Sequence, residues 1–129
     1  MPFKIVFMGT PEFSVPTLEA LIKNKLNIIN AYTQPPKKSK RGQKVHPSEI
    51  ELFCKKNKIN FRNPLSLGSE EEFENFKKLS PDIVVVVAYG QIIPKIFLDI
   101  VNYSLNTEKN AWYILFMLSL FMFLNIYKL

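Results

Sequence analysis

Two stretches of this chain carry residues able to do chemistry. The first holds Lys37, Lys38, Lys40, Arg41 and Lys44, five of the 17 basic residues within eight positions. Cations at that density suit phosphate oxygens: each neutralises backbone charge without reading a base. The second is Tyr89-Gly90-Gln91-Ile92-Ile93-Pro94, which follows Ile83 to Ala88, six residues with no polar member and four valines. An unbroken β-branched run predicts a strand covered on both faces, the central strand of a parallel sheet. Ligands in open parallel sheets bind just beyond the carboxyl ends of the strands. Tyr89 to Pro94 therefore falls where a pocket floor is expected.

Other chemistries have little support. The single Cys54 excludes an internal disulfide and suits a reducing cytosol. One histidine, His46, and no Cys/His cluster leave no recognisable metal site, and His46 reads as a near-cap residue rather than a catalytic one. Gly9 has no second or third glycine at dinucleotide spacing, which argues against a nicotinamide cofactor. A formal charge of +6 over 129 residues permits an anionic partner without naming it.

The elements that must position these residues alternate strand and helix. Phe3 to Met8 reads as a strand rather than a signal peptide, closed by Gly9-Thr10-Pro11. Thr10 is expected to cap a helix over roughly 11–25, with Pro11 first, Glu12 in the opening turn, and Val15, Leu18, Leu21 and Ile22 along one face. Ile28 to Thr33 is a second strand. Residues 34–44, with two prolines and five cations, are expected to be an exposed mobile loop, neither helix nor packed strand. A helix from His46 to about Asn57, a short strand over Ile59 to Arg62, and a helix opened by a Ser69/Glu72 capping box follow. That helix leads into Ile83, and Pro94 opens another carrying Ile96, Phe97, Leu98 and Ile100. The predicted architecture is α/β: an incomplete doubly wound, Rossmann-like parallel sheet of about four strands, with an apolar helical tail.

Lys4-Ile-Val-Phe-Met-Gly-Thr-Pro-Glu-Phe13, Thr33-Gln-Pro35, Arg41-Gly-Gln-Lys44 and Val84-Val-Val-Val-Ala-Tyr-Gly-Gln-Ile-Ile-Pro94 closely resemble the amino-terminal part of the methionyl-tRNA formyltransferases, in order and with matching gaps over about residues 3–100. The resemblance implies transfer of a formyl group from 10-formyltetrahydrofolate to the amino group of methionyl initiator tRNA, in the cytoplasm. It implies that Gln91, Ile92 and Ile93 lie against the pterin within a folate-binding segment Tyr89, Gly90, Gln91, Ile92, Ile93 and Pro94. Lys37, Lys38, Lys40, Arg41 and Lys44 would meet the tRNA acceptor stem. Gly9, Thr10, Pro11, Glu12 and Phe13 would form the turn beside the aminoacyl end. The family continues into a strand ending Ile-Asn-x-His and a later aspartate, which hold the formyl oxygen and manage the amine's proton. Neither motif occurs here, so no catalytic residue is assigned and these residues alone are expected to be inactive. A formyltransferase domain acting on a nucleotide-linked amino sugar shares the fold and donor, and the basic loop favours the tRNA enzyme. A non-enzymatic RNA-binding or membrane-associated remnant is the reading from a different class.

The chain divides at about residue 100 into a partial formyltransferase domain and a tail. Ala111 to Tyr127 is nearly all apolar, with Ser119 and Asn125 inside it. Two readings apply: a membrane segment at the lower length limit, or the product of a shifted reading frame, favoured because the resemblance stops inside a domain. A sheet ending at its fourth strand is expected to leave an open edge that Trp112 to Leu124 covers only in part, giving poor solubility.

Overall fold

The computed structural model describes residues 3–38 and 44–105. Lys40, Arg41 and the apolar tail with its expected helix lie outside the described residues. β1 (Lys4–Gly9), β2 (Asn27–Tyr32), β5 (Phe61–Arg62) and β6 (Ile83–Val87) form one parallel sheet in the order β5-β2-β1-β6. β3 (Lys37–Lys38) and β4 (Val45–His46) form a separate antiparallel pair. A 3-10 turn over Glu12–Ser14 leads into α1 (Val15–Lys23); α2 is Glu49–Asn57, α3 Glu70–Leu79 and α4 Lys95–Leu105.

Among the described strands β2 and β1 are the inner pair, and β6 lies beside β1. Ile5, Val6, Phe7 and Met8 are buried, and their side chains alternate between two apolar layers. Ile5 and Phe7 pack with Leu18, Leu21, Ile50 and Cys54 of α1 and α2, and with Val85. Val6 and Met8 pack with Tyr32, Val84, Leu67, Phe76, Phe97 and Val101 on the α3/α4 side. Burying each such side chain contributes about 1.5–3 kcal/mol, so four in a row make β1 the sheet's anchor. The valine run of β6 does meet apolar layers on both faces, as its composition predicts. Among the described residues, however, its strand neighbour is β1 alone. Burial of both faces can be read from a sequence; the neighbours within the sheet cannot.

β2 contains an irregularity. Ile5 pairs with Ile28 but Val6 with Asn30, a one-residue shift. The slip returns Ala31 to the α1/α2 layer and Tyr32 to the α3/α4 layer, opposite Phe7 and Met8. Asn30 Oδ1 is left buried without a partner.

Helix starts follow local chemistry except at Thr10. Ser48 and Ser69 cap α2 and α3, each accepting from the N–H three residues on (Glu51 at 3.0 Å, Glu72 at 3.2 Å). The cap of α2 is thus Ser48 and not His46, which pairs with Lys37 in the hairpin. The predicted helix over 11–25 opens as the 3-10 turn, and Thr10 caps nothing: its hydroxyl spans strand ends. Glu72 does not complete a capping box either; its carboxylate takes Arg62 in a two-pronged pair (3.1 and 2.7 Å) that fastens α3 to β5.

Candidate functional site

The chain runs β1, β2, β5 outward on one side and returns to β6 on the other side of β1. The carboxyl ends of β1 and β6 therefore flank the topological switch point, where an open sheet splays its connections apart. Gly9 to Phe13 leaves from the first and Ala88 to Pro94 from the second. Gly9 lets these strands close up: a Cβ there would lie 2.8 Å from Val87 O and from the Phe7 ring. Beyond β6 the backbone turns through positive φ at Ala88 (52°) and Gly90 (88°), which redirects the loop across the strand ends.

Hydrogen bonds lace these ends together. Thr10 Oγ1 donates to Tyr89 O (2.7 Å) and accepts from Gln34 N–H (3.2 Å), and buried Ser14 donates to Val87 O (2.8 Å). Gln34 Nε2 donates to Gly90 O (2.8 Å); Gln91 Nε2 donates to Gln34 Oε1 (3.2 Å) and Pro64 O (2.9 Å). Thr33 Oγ1 and Ser48 Oγ share a hydrogen bond at 2.5 Å, tying the end of β2 to the start of α2. Ser14 and Pro64 carried no signal in the sequence, and Gln34 was marked only as part of the Thr33-Gln-Pro35 resemblance, because what distinguishes these residues is their partners.

The six expected folate positions take different roles. The Tyr89 side chain is buried in the core and its hydroxyl has no partner. Gly90 seats Gln34. The Gln91 side chain turns inward, with its Oε1 buried and unpartnered. Ile92 is 90% exposed, Ile93 leans on the α3/α4 layer, and Pro94 O accepts from Phe97 N–H (3.0 Å). At the turn expected beside the aminoacyl end, Thr10 is the hydrogen-bonding hub, Glu12 is exposed, and Phe13 is 58% exposed.

Part of the basic stretch is a strand where its composition predicts a loop. Lys37 pairs with His46 and Lys38 with Val45, so the segment starts as a short hairpin rather than a loop. Lys37, Lys38 and Lys44 are exposed. Between the hairpin and the β1 turn lies a cleft of ≈ 260 Å³ lined in part by Thr10, Pro11, Gln34, Lys37, His46 and Ser48. It joins one member of the basic cluster, Lys37, to Thr10 and Pro11 of the turn after β1.

Burial sets the protonation of nearby groups. It pushes Tyr32 up to about 12, with Glu72 adding to the shift, and raises Tyr89 further, aided by Tyr32 and Glu72. Burial, then Glu51, pushes the Cys54 thiol up to about 11. All three are neutral at physiological pH, and Cys54 is a packing residue rather than a thiolate nucleophile. Among the described residues no cluster of three or more His, Cys, Asp or Glu is arranged to hold a metal, and no helix is long and apolar enough to cross a membrane. The strand ends thus offer backbone edges, two exposed apolar side chains and cations: groups that bind and orient.

These features define an α/β domain with a doubly wound parallel sheet, whose switch point lies between the carboxyl ends of β1 and β6. A solved phosphoribosylglycinamide formyltransferase from Anaplasma phagocytophilum shares the fold, with a TM-score of 0.50 and 11% identity, over 77% of this chain and 45% of its own. Residues 3–107 match the Formyl transferase family, and the chain belongs to it. Methionyl-tRNA formyltransferase of Pelagibacter ubique is 50% identical over 101 residues, 78% of this chain and 33% of the relative. That of Clostridium novyi is 46% identical over 102 residues, again 78% and 33%. The chain spans about a third of the length of these curated relatives.

Proposed function

We propose that this chain is the amino-terminal portion of a methionyl-tRNA formyltransferase, acting in the cytoplasm. The observation that carries the reading is the 50% identity over 101 residues to such an enzyme. In this proposal residues 1–100 form the formyltransferase part and 101–129 the apolar remainder, with α4 running on to Leu105. The loop 89–94 holds the formyl donor, 10-formyltetrahydrofolate. Ile92 offers the donor an exposed apolar surface. When bound, that molecule supplies the formyl group. The chain's own contribution is to orient: the Thr10, Gln34 and Gly90 bonds fix the loop, and the cleft beside Lys37 and His46 receives the acceptor end of initiator tRNA. Lys37, Lys38, Lys40, Arg41 and Lys44 take its phosphates, which favours tRNA over a nucleotide-linked amino sugar as the acceptor.

The attacking amine must shed a proton, and the groups the family uses for this are absent from these 129 residues. Incubated with methionyl-tRNA and the donor, the purified chain is expected to make no formyl-methionyl-tRNA; product above background would refute that assignment. Binding is tested with an acceptor-stem duplex. Changing all five cations to Gln should flatten the salt dependence by about 0.9 for each phosphate no longer neutralised. An unchanged slope would remove the hairpin from the interface.

A further inference from the structure

The basic hairpin and the loop 89–94 are distant in sequence, yet one side chain joins them. Gln34 is the residue from which the hairpin departs, three positions before Lys37. Its N–H is held by Thr10 and its amide is used at both ends: Nε2 donates to Gly90 O at 2.8 Å and Oε1 accepts from Gln91 Nε2 at 3.2 Å. Neither amide can flip. Both Gln91 Nε2 hydrogens meet acceptors, Gln34 Oε1 and Pro64 O, and Gln34 lies between a carbonyl and a donor. The seat is specific as well: a Cβ on Gly90 would come within 2.5 Å of Gln34 Nε2. The chain Gly90–Gln34–Gln91–Pro64 therefore links the connections leaving β2, β5 and β6.

We propose that Gln34 is a positioning residue that couples the basic hairpin to the 89–94 loop, so that a polyanion engaging the hairpin resets the loop that faces the donor. The assignment of the two ligands rests on the function proposed above; the mechanical link does not. A displacement of the hairpin strand moves Gln34, and Gln34 cannot move without releasing Gly90 O or Gln91. If each ligand favours one arrangement, each changes the affinity of the other by the same factor.

The test uses the full chain and NMR, with the Gln91 side-chain NH2 pair and the Gly90 amide as reporters. The hairpin is perturbed in two independent ways: by titrating an acceptor-stem RNA duplex at low salt, and by Val45→Gly, which loosens the β3–β4 pair. In the unaltered chain both should move the reporters. In Gln34→Ala the response should fall to less than about a third, while core methyl signals report an intact fold. Gln34→Glu keeps an acceptor for Gln91 but cannot donate to Gly90 O, so it should restore the Gln91 response and not that of Gly90. A response of undiminished size in Gln34→Ala, or full restoration of both reporters by Glu, overturns the coupling. If the duplex leaves Lys37 and Lys44 unmoved while the Val45→Gly response still depends on Gln34, the functional reading fails and the coupling stands.

Discussion

Thr10 offers the sharpest contrast between a local and a tertiary role. Its hydroxyl donates to Tyr89 O at 2.7 Å and accepts from Gln34 N–H at 3.2 Å, so Thr10→Val keeps the shape and orphans both groups. A buried unsatisfied group costs about 1–3 kcal/mol; these are partly buried, so the pair is placed at about 2–3 kcal/mol in total. Thr10→Ser retains the hydroxyl and should lose less than about 1 kcal/mol. Thr10→Asp discriminates the two roles. At a helix cap, Asp serves as well as Thr. At this position a carboxylate can accept from Gln34 but has no proton for Tyr89 O and faces its carbonyl dipole. Asp should therefore be at least as damaging as Val. The assay is urea unfolding of the full chain followed by circular dichroism. An Asp variant as stable as the unaltered chain, or a Val variant within about 0.5 kcal/mol of it, would refute the reasoning.

Further outcomes follow from the same structure. Glu72→Gln breaks the two-pronged pair with Arg62; because Arg62 is about a third exposed and can turn to water, the loss in urea unfolding should be about 2 kcal/mol, below the 3–5 typical of a fully buried pair. Lys58 (φ 57°) and Ser80 (φ 47°) close α2 and α3 in the left-handed region, so Lys58→Gly and Ser80→Gly should each stabilise by about 0.5–1 kcal/mol in the same assay. Cys54 and Tyr32 are held neutral to about 11 and about 12, above their ordinary values, so the folded chain keeps protons that the unfolded chain releases. Stability should be undiminished by these groups below about pH 9 and fall as pH rises from there towards 12. Thermal melts across that range check it, and Cys54→Ala should flatten the fall between 9 and 11.

What could be read from the sequence was whatever local chemistry decides. The valine run announced a strand covered on both faces, and Ser69 announced a helix start. What could not be read depends on partners far along the chain. Thr10 looks like a cap because Pro11 and Glu12 follow it, but its acceptor is 79 residues away. Glu72 looks like half of a capping box, yet Arg62, brought close by β5, offers a charged partner that a backbone N–H cannot match. The two prolines and the cations of 34–44 hid a two-residue ladder whose second strand begins only at Val45. The inward turn of Gln91 and the seat of Gln34 on Gly90 exist only once three strand ends meet. Hence the strand ends were legible, and the hydrogen-bond partners of the side chains beyond them were not.

The central claim, that this chain supplies the folate-facing and acceptor-facing third of a methionyl-tRNA formyltransferase, is tested most directly by exchange. Its matching segment replaces the corresponding 101 residues of the Pelagibacter ubique enzyme, to which it is 50% identical. The chimera is purified and assayed for formyl transfer from 10-formyltetrahydrofolate to methionyl-tRNA. Formyl-methionyl-tRNA is the expected product, and changing Lys37, Lys38, Lys40, Arg41 and Lys44 together to Gln should raise KM for the tRNA more than it lowers kcat. A folded chimera that binds the donor and forms no product, or that formylates a nucleotide-linked amino sugar in preference to the tRNA, would contradict the claim.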